Sequence, residues 1–110
     1  MQRGDVVWVT LDPVVGSEVG KRRPAVVVQN ELANLTSPTV TVVPLSSSVR
    51  RVYPFQVMIP AAESGLPRPS KALCEQIRTL SRQRIGPTLG TLPLGRMSEI
   101  RVAIDRHLWL

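Results

Sequence analysis

The chain has 110 residues, a formal net charge of +6, one histidine and one cysteine. That length accommodates a single domain, residues 1–110, and excludes a two-domain enzyme with a separate cofactor lobe. Leu, Ile, Val and Phe fill 34 positions, well above the roughly 20% below which a charged chain tends to stay disordered, so a compact core is expected.

Cys74 has no partner for an internal disulfide, and no Cys/His cluster exists to build a zinc site. The uncharged stretch Leu32–Val49 contains two prolines and many Ser and Thr, which makes a poor bilayer span. Asp5 and Asp12 interrupt any signal-like apolar run near the N-terminus. A soluble, cytoplasmic protein with no membrane partner is expected. The basic excess is carried by 12 Arg and 2 Lys, and guanidinium suits bidentate phosphate contacts, which makes nucleic acid the first partner to consider.

Asp5–Leu11 is rich in β-branched and aromatic residues and ends at the turn signal Asp12-Pro13, predicting a first strand. Val14–Arg23 has neither strand nor helix period and reads as a long loop carrying three consecutive cations. Pro24–Gln29 is a continuous apolar run, expected as a strand buried on both faces. A turn-rich stretch, Asn34–Pro38, separates it from a third strand, Thr39–Leu45, which stops at Ser46-Ser47-Ser48. Val52–Ile59 contains Pro54 and is expected as an edge strand. Leu66–Ser70 is a second loop, Lys71–Leu80 alternates and suits a strand or a short helix, and Gln83–Ile85 suggests another short strand. The one helix expected is C-terminal, with Pro93 in its first turn and Met97, Ile100, Ala103, Ile104 and Leu108 at 3–4 residue spacing. Five or more short strands with a terminal helix predict a mainly β fold, a small, partly open SH3-like barrel.

The eight acids are scattered and the lone His107 lies near the end of the chain, so no metal site and no cofactor are expected. A ribonuclease using two histidines as acid and base is excluded by the count. A serine triad would need His107 and Asp105 to converge on Ser46–Ser48, and two residues apart on a helix they do not face a common point. Gly16–Pro24 is more informative. Its glycines permit close ligand approach, Lys21, Arg22 and Arg23 follow, and Pro24 restricts the backbone of Arg23. The spacing of a nucleotide-type phosphate loop is missing.

Arg3-Gly4-Asp5-Val6, Leu11-Asp12-Pro13 with Gly16-Ser17-Glu18, Lys21-Arg22-Arg23-Pro24 with its apolar strand, Ser37-Pro38-Thr39, Pro44-Leu45-Ser46 and Glu75-Gln76-Ile77-Arg78-Thr79-Leu80 run in an order that resembles the MazF/PemK family of toxin endoribonucleases (mRNA interferases). The resemblance implies a barrel of the CcdB/MazF type. It also implies metal-independent, sequence-specific cleavage of single-stranded RNA by its own 2′-hydroxyl, leaving a 2′,3′-cyclic phosphate and a 5′-hydroxyl. By the family's motif, Arg23 and Ser46 hold the catalytic positions, with Ser47 the alternative hydroxyl if the strand register is off by one. Ser17, Glu18, Lys21, Arg22, Ser47, Arg50, Arg51, Gln76 and Arg78 are the expected RNA-binding residues, and Glu18 and Glu75 the candidate bases. The resemblance further implies a homodimer and an acidic MazE-like antitoxin. Trp8, Tyr53 and Phe55 are expected in the core or an interface.

Two other readings remain. The ending Leu108-Trp109-Leu110 is loosely similar to that of CcdB, a gyrase poison. A non-catalytic RNA-binding barrel would share the basic surface but would not need Arg23 and Ser46 together.

Overall fold

The computed structural model describes residues 1–110 apart from positions 12, 14 and 19, so Asp12 of the expected first turn lies outside the described residues. Seven strands form one curved sheet with three helices: β1 Asp5–Thr10, β2 Arg22–Val27, α1 Glu31–Thr36, β3 Thr39–Ser46, β4 Gln56–Ile59, α2 Ala61–Ser64, β5 Ser70–Leu73, β6 Arg78–Ser81, β7 Ile85–Thr91 and α3 Leu94–Leu108. The strand order is β4-β5-β3-β2-β1-β7, with β6 also on β3.

The apolar runs predicted for the first three strands are buried on both faces, because the curled sheet has a core on each side. Val6, Val26, Val43 and Leu45 pack inside with Met97, Ile100 and Ala103 of α3. Val7, Val9, Ala25, Val27, Val40 and Val42 pack on the other face with Leu80. Period-two alternation thus divides each strand between two cores.

Several expectations are corrected. Arg22 and Arg23 belong to β2 rather than to the loop before it, so alternation sends them to opposite faces. Lys71–Leu80 is neither one strand nor one helix. It is β5, a 3-10 turn at Cys74–Gln76, and β6. Both strands pair with β3, and the register slips by three residues between Leu45↔Ala72 and Val42↔Arg78, the length of that turn. Gln83 lies in a second 3-10 turn, Arg82–Arg84, and Ile85 opens β7. β7 carries Gly86, Pro87 and Gly90, which read as turn signals. It tolerates them because it pairs only with β1, through a register broken in two places.

The stretch expected as a turn at Asn34–Pro38 begins inside α1. The Asn30 side chain caps that helix by accepting the Ala33 N–H at 2.8 Å, and Arg82 donates to the carbonyls of Asn34 and Ser37 at its other end. α3 buries Met97, Ile100 and Ala103 as predicted. Leu108, expected on the same stripe, is 48% exposed, and Trp109, at the helix end with a left-handed backbone, is 94% exposed. β4 is an edge strand, as expected, and Pro54 lies just before it. No helix among the described residues is long and apolar enough to cross a membrane.

The sheet does not close by hydrogen bonds between its end strands β4 and β7. Instead α2, which follows β4, lies directly on β7. Gly65, the left-handed cap of α2, approaches so closely that an added Cβ would stand 2.2 Å from the Leu89 carbonyl oxygen. At Gly90 a Cβ would meet the Ser64 carbonyl oxygen at 2.8 Å. Two glycines therefore permit a backbone-to-backbone seam that completes the barrel. Arg96 of α3 secures α2 with two bonds to Glu63, at 2.8 and 3.0 Å.

Candidate functional site

The β2–β3 ladder runs from Val27↔Val42 to Ala25↔Pro44 and stops there. The Val28 N–H donates to the Thr41 carbonyl at 3.1 Å, so alternation along β2 turns position 24 toward β3 as well, opposite Leu45. A proline there has no N–H to give. The ladder ends there, and a groove of about 390 Å³ opens beside the ends of the two strands. Continuing the register past the ladder sets Arg23 opposite Ser46, on one face of the sheet.

Both residues line this groove, with Gly20, Lys21, Arg22 and Ser47. Arg23 is half-buried, and its Nε donates to the Gly20 carbonyl at 3.0 Å. That bond fixes the guanidinium and leaves its two terminal nitrogens for a ligand. Ser46 Oγ accepts the Ser48 N–H at 3.2 Å, which orients the oxygen while its own proton stays available for donation. Ser47 is exposed. Lys21 holds a left-handed backbone, φ 63°, unusual for a residue with a Cβ. Arg22 lies with its Cζ 4.6 Å from the centroid of the Trp8 ring.

The structure therefore gathers Lys21, Arg22, Arg23, Ser46 and Ser47, and leaves the other sequence candidates outside the groove. Ser17 and Glu18 are exposed on the preceding loop, where the Glu18 carboxylate accepts the Val15 N–H at 2.7 Å. Arg50 and Arg51 are exposed, and Arg51 donates to the Tyr53 hydroxyl at 3.2 Å. Gln76 ends the 3-10 turn, and Arg78 begins β6 opposite Val42. Glu75 faces inward. One of its oxygens accepts from Gln56 at 2.6 Å, and the other is buried without a partner among the described residues.

Sequence reasoning missed two parts of the groove. Trp8, expected in the core or an interface, is a half-buried wall residue. Residues 66–70 form the facing wall, where the signal was present as Pro67-Arg68-Pro69, a cation held between two prolines. Tyr53, also expected in the core or an interface, is 42% exposed and stacks on half-buried Phe55 with ring centroids 5.6 Å apart.

Two larger grooves lie elsewhere. One runs between β4 and α3 past Arg96 and Arg106, the other between α1 and α3 past Arg3 and Arg101. Neither contains a hydroxyl and a tethered guanidinium on facing strand ends. Among the described residues no group of three His, Cys, Asp or Glu side chains is placed to hold a metal ion.

The chain is 40% identical to Endoribonuclease MazF9 of Mycobacterium tuberculosis, over 98% of this chain and 96% of that protein. It is 38% identical to Endoribonuclease EndoA of Bacillus subtilis, over 100% and 96%. A crystal structure of MazF from Deinococcus radiodurans superposes with a TM-score of 0.87 at 29% identity, covering 100% of this chain and 97% of that one. A MazE–MazF structure from the same organism gives 0.79 at 28% identity, over 100% and 96%. Residues 2–108 match the family described as the PemK-like, MazF-like toxins of type II toxin–antitoxin systems, and the chain belongs to that family.

Proposed function

We propose that this protein is the toxin of a toxin–antitoxin pair and an endoribonuclease that cuts single-stranded RNA at particular sequences without a metal ion, arresting translation and growth. The observation that carries the reading is the pairing of a tethered Arg23 with Ser46 on facing strand ends. The 2′-hydroxyl oxygen attacks the adjacent phosphorus and the bond to the 5′-oxygen breaks, leaving a 2′,3′-cyclic phosphate and a 5′-hydroxyl.

Arg23 stays protonated at any ordinary pH, so its terminal N–H groups stabilise the charge that develops on the phosphate and on the leaving 5′-oxygen, which takes its proton from solvent. Ser46 donates to a non-bridging oxygen and holds the phosphorus in line. Of the two candidate bases, Glu75 is committed to Gln56 in the interior. Glu18, exposed two residues before groove-lining Gly20, is the candidate left on the surface to receive the proton of the 2′-hydroxyl. Lys21, Arg22 and Arg68 draw the RNA backbone into the mouth beside Ser47, and Ser17, Arg50, Arg51, Gln76 and Arg78 extend the path outside it.

Relatives solved with a MazE partner support an antitoxin here as well, an acidic chain attracted by the same cations. The protein acts in the cytoplasm as a homodimer, for which exposed Leu32 and Leu35 on α1 offer apolar surface.

The test is incubation with a long single-stranded RNA in excess chelator, followed by mapping of cut sites and end chemistry. Discrete cuts with cyclic-phosphate and 5′-hydroxyl ends, abolished in a folded Arg23→Ala variant, are expected. Ser46→Ala lowers the rate and Ser47→Ala does not; the reverse would move the catalytic hydroxyl by one residue. RNA bound but uncut would leave a binding barrel.

A further inference from the structure

We propose that the groove contains a nucleobase-stacking subsite in which Trp8 holds the Arg22 guanidinium flat and one base of a single-stranded RNA stacks on the opposite face of that plane. The inference rests on the ribonuclease reading above and names the part of the site that grips a base rather than a phosphate.

Arg22 pairs with Thr10 across β1, so Trp8 is its diagonal neighbour on the same face, within reach of two long side chains. The guanidinium carbon lies 4.6 Å from the indole centroid, over the ring, within cation–π range. Arg22 is exposed, so the face turned away from Trp8 remains open. A flat, oriented guanidinium is a platform on which bases stack irrespective of their identity.

Two further features fit that use. Gly86 of β7 lies beside the pair: a Cβ there would come within 3.3 Å of the Trp8 Cβ and carbonyl oxygen and 3.8 Å of an Arg22 terminal nitrogen. A side chain at this position would crowd the root of Trp8 and touch the end of Arg22. On the groove wall formed by residues 66–70, Ser70 is 3% exposed and its hydroxyl has no partner among the described residues. It is an unpartnered hydroxyl on the groove wall, suited to the edge of a bound base, whereas Arg23 and Ser46 at the strand ends take the phosphate.

The chain has two tryptophans, Trp8 and Trp109, and Trp109 stands exposed at the helix end, so a Trp109→Phe variant makes Trp8 the sole indole reporter. This variant is titrated with an end-labelled oligonucleotide carrying a mapped cut sequence and a 2′-deoxyribose at the scissile position. Binding is read by anisotropy of the label and Trp8 by its emission. Trp8 emission is expected to change in parallel with binding. One abasic position, and no other, should abolish that change and weaken binding by on the order of tenfold. Arg22→Lys, which keeps the charge and loses the plane, should bind the intact oligonucleotide as weakly as the parent binds that abasic one, with no further loss when the base is removed.

Saturating binding with unchanged Trp8 emission would overturn the subsite while leaving the ribonuclease reading intact, as would an emission change that survives every abasic substitution. An RNA that the parent chain neither binds nor cuts would overturn both.

Discussion

Replacing Gly90 with alanine tests how the barrel is completed. The new Cβ would lie 2.8 Å from the Ser64 carbonyl oxygen, 3.0 Å from its carbonyl carbon and 3.2 Å from the Glu63 oxygen. Close carbon–oxygen approaches in proteins fall near 3.3–3.6 Å, and every atom met here is backbone, so α2 must lift from β7 by about half an ångström. Overpacking of this kind costs about 1–3 kcal/mol, offset by about 0.4–1 kcal/mol from the less flexible unfolded chain. For a domain near 100 residues each kcal/mol moves the melting temperature by about 4 °C, so with a net cost in the middle of that range, about 1–2 kcal/mol, Gly90→Ala should melt about 4–8 °C below the parent. Gly65→Ala adds a left-handed backbone, φ +79°, to a contact of 2.2 Å and should fall by more than about 10 °C. Gly95, in the first turn of α3, meets nothing within 4 Å, and its alanine variant should gain about 2–4 °C. Differential scanning calorimetry of the three variants decides the matter. A Gly90→Ala protein melting within a degree of the parent, or a Gly65→Ala protein no less stable than Gly95→Ala, would refute the seam.

Arg23→Lys keeps the charge but loses both the Nε bond to Gly20 and the forked pair of donors, so single-turnover cleavage should drop about 10²–10³-fold, with no rescue relative to Arg23→Ala. The Arg96 guanidinium, hydrogen-bonded to Glu63, holds that carboxyl below its ordinary value of 4.5. A depressed pKa in the folded state contributes stability above the unfolded value and loses it as pH falls through the folded one. The melting temperatures of the parent and Glu63→Gln should therefore differ at neutral pH and converge as pH falls below the carboxyl's ordinary 4.5; a constant gap would assign the effect to packing alone. Burial first, and then the neighbouring Glu75 charge, push the Cys74 thiol up to about 12. Iodoacetamide at neutral pH should accordingly leave the native protein unmodified and label it only on unfolding, as read by intact mass.

What could be read from the sequence follows how local each element is. β1, β2 and β3 announce themselves as unbroken apolar runs, and α3 by the spacing of Met97, Ile100 and Ala103. β7 could not be found that way, because a strand that pairs along one edge through broken register can carry Gly86, Pro87 and Gly90. α1 had a signal in Asn30 followed by Glu31, outweighed by the turn residues after it. At the site, Arg23 stood out beside Pro24, whereas Ser46 was singled out only by the resemblance to the family's motif; the register sets the two opposite each other. The facing wall was not legible, since residues 66–70 reach the mouth only through the pairing of β5 with β3 and the α2–β7 seam, both set by distant parts of the chain. Trp8 read as a core residue because its type and strand suggest burial. Its diagonal neighbour Arg22 makes it part of a wall instead.

The missing hydrogen-bond donor at Pro24 has a consequence for binding. An amide at that position could complete one more rung to Leu45 and draw Arg23 and Ser46 toward ladder spacing, closing the mouth on itself. With proline that rung cannot form, so the sheet gives up no backbone hydrogen bond there when a ligand is admitted. The freedom lost in shaping the cleft is given up during folding, and an incoming strand meets a guanidinium and a hydroxyl already at their stations.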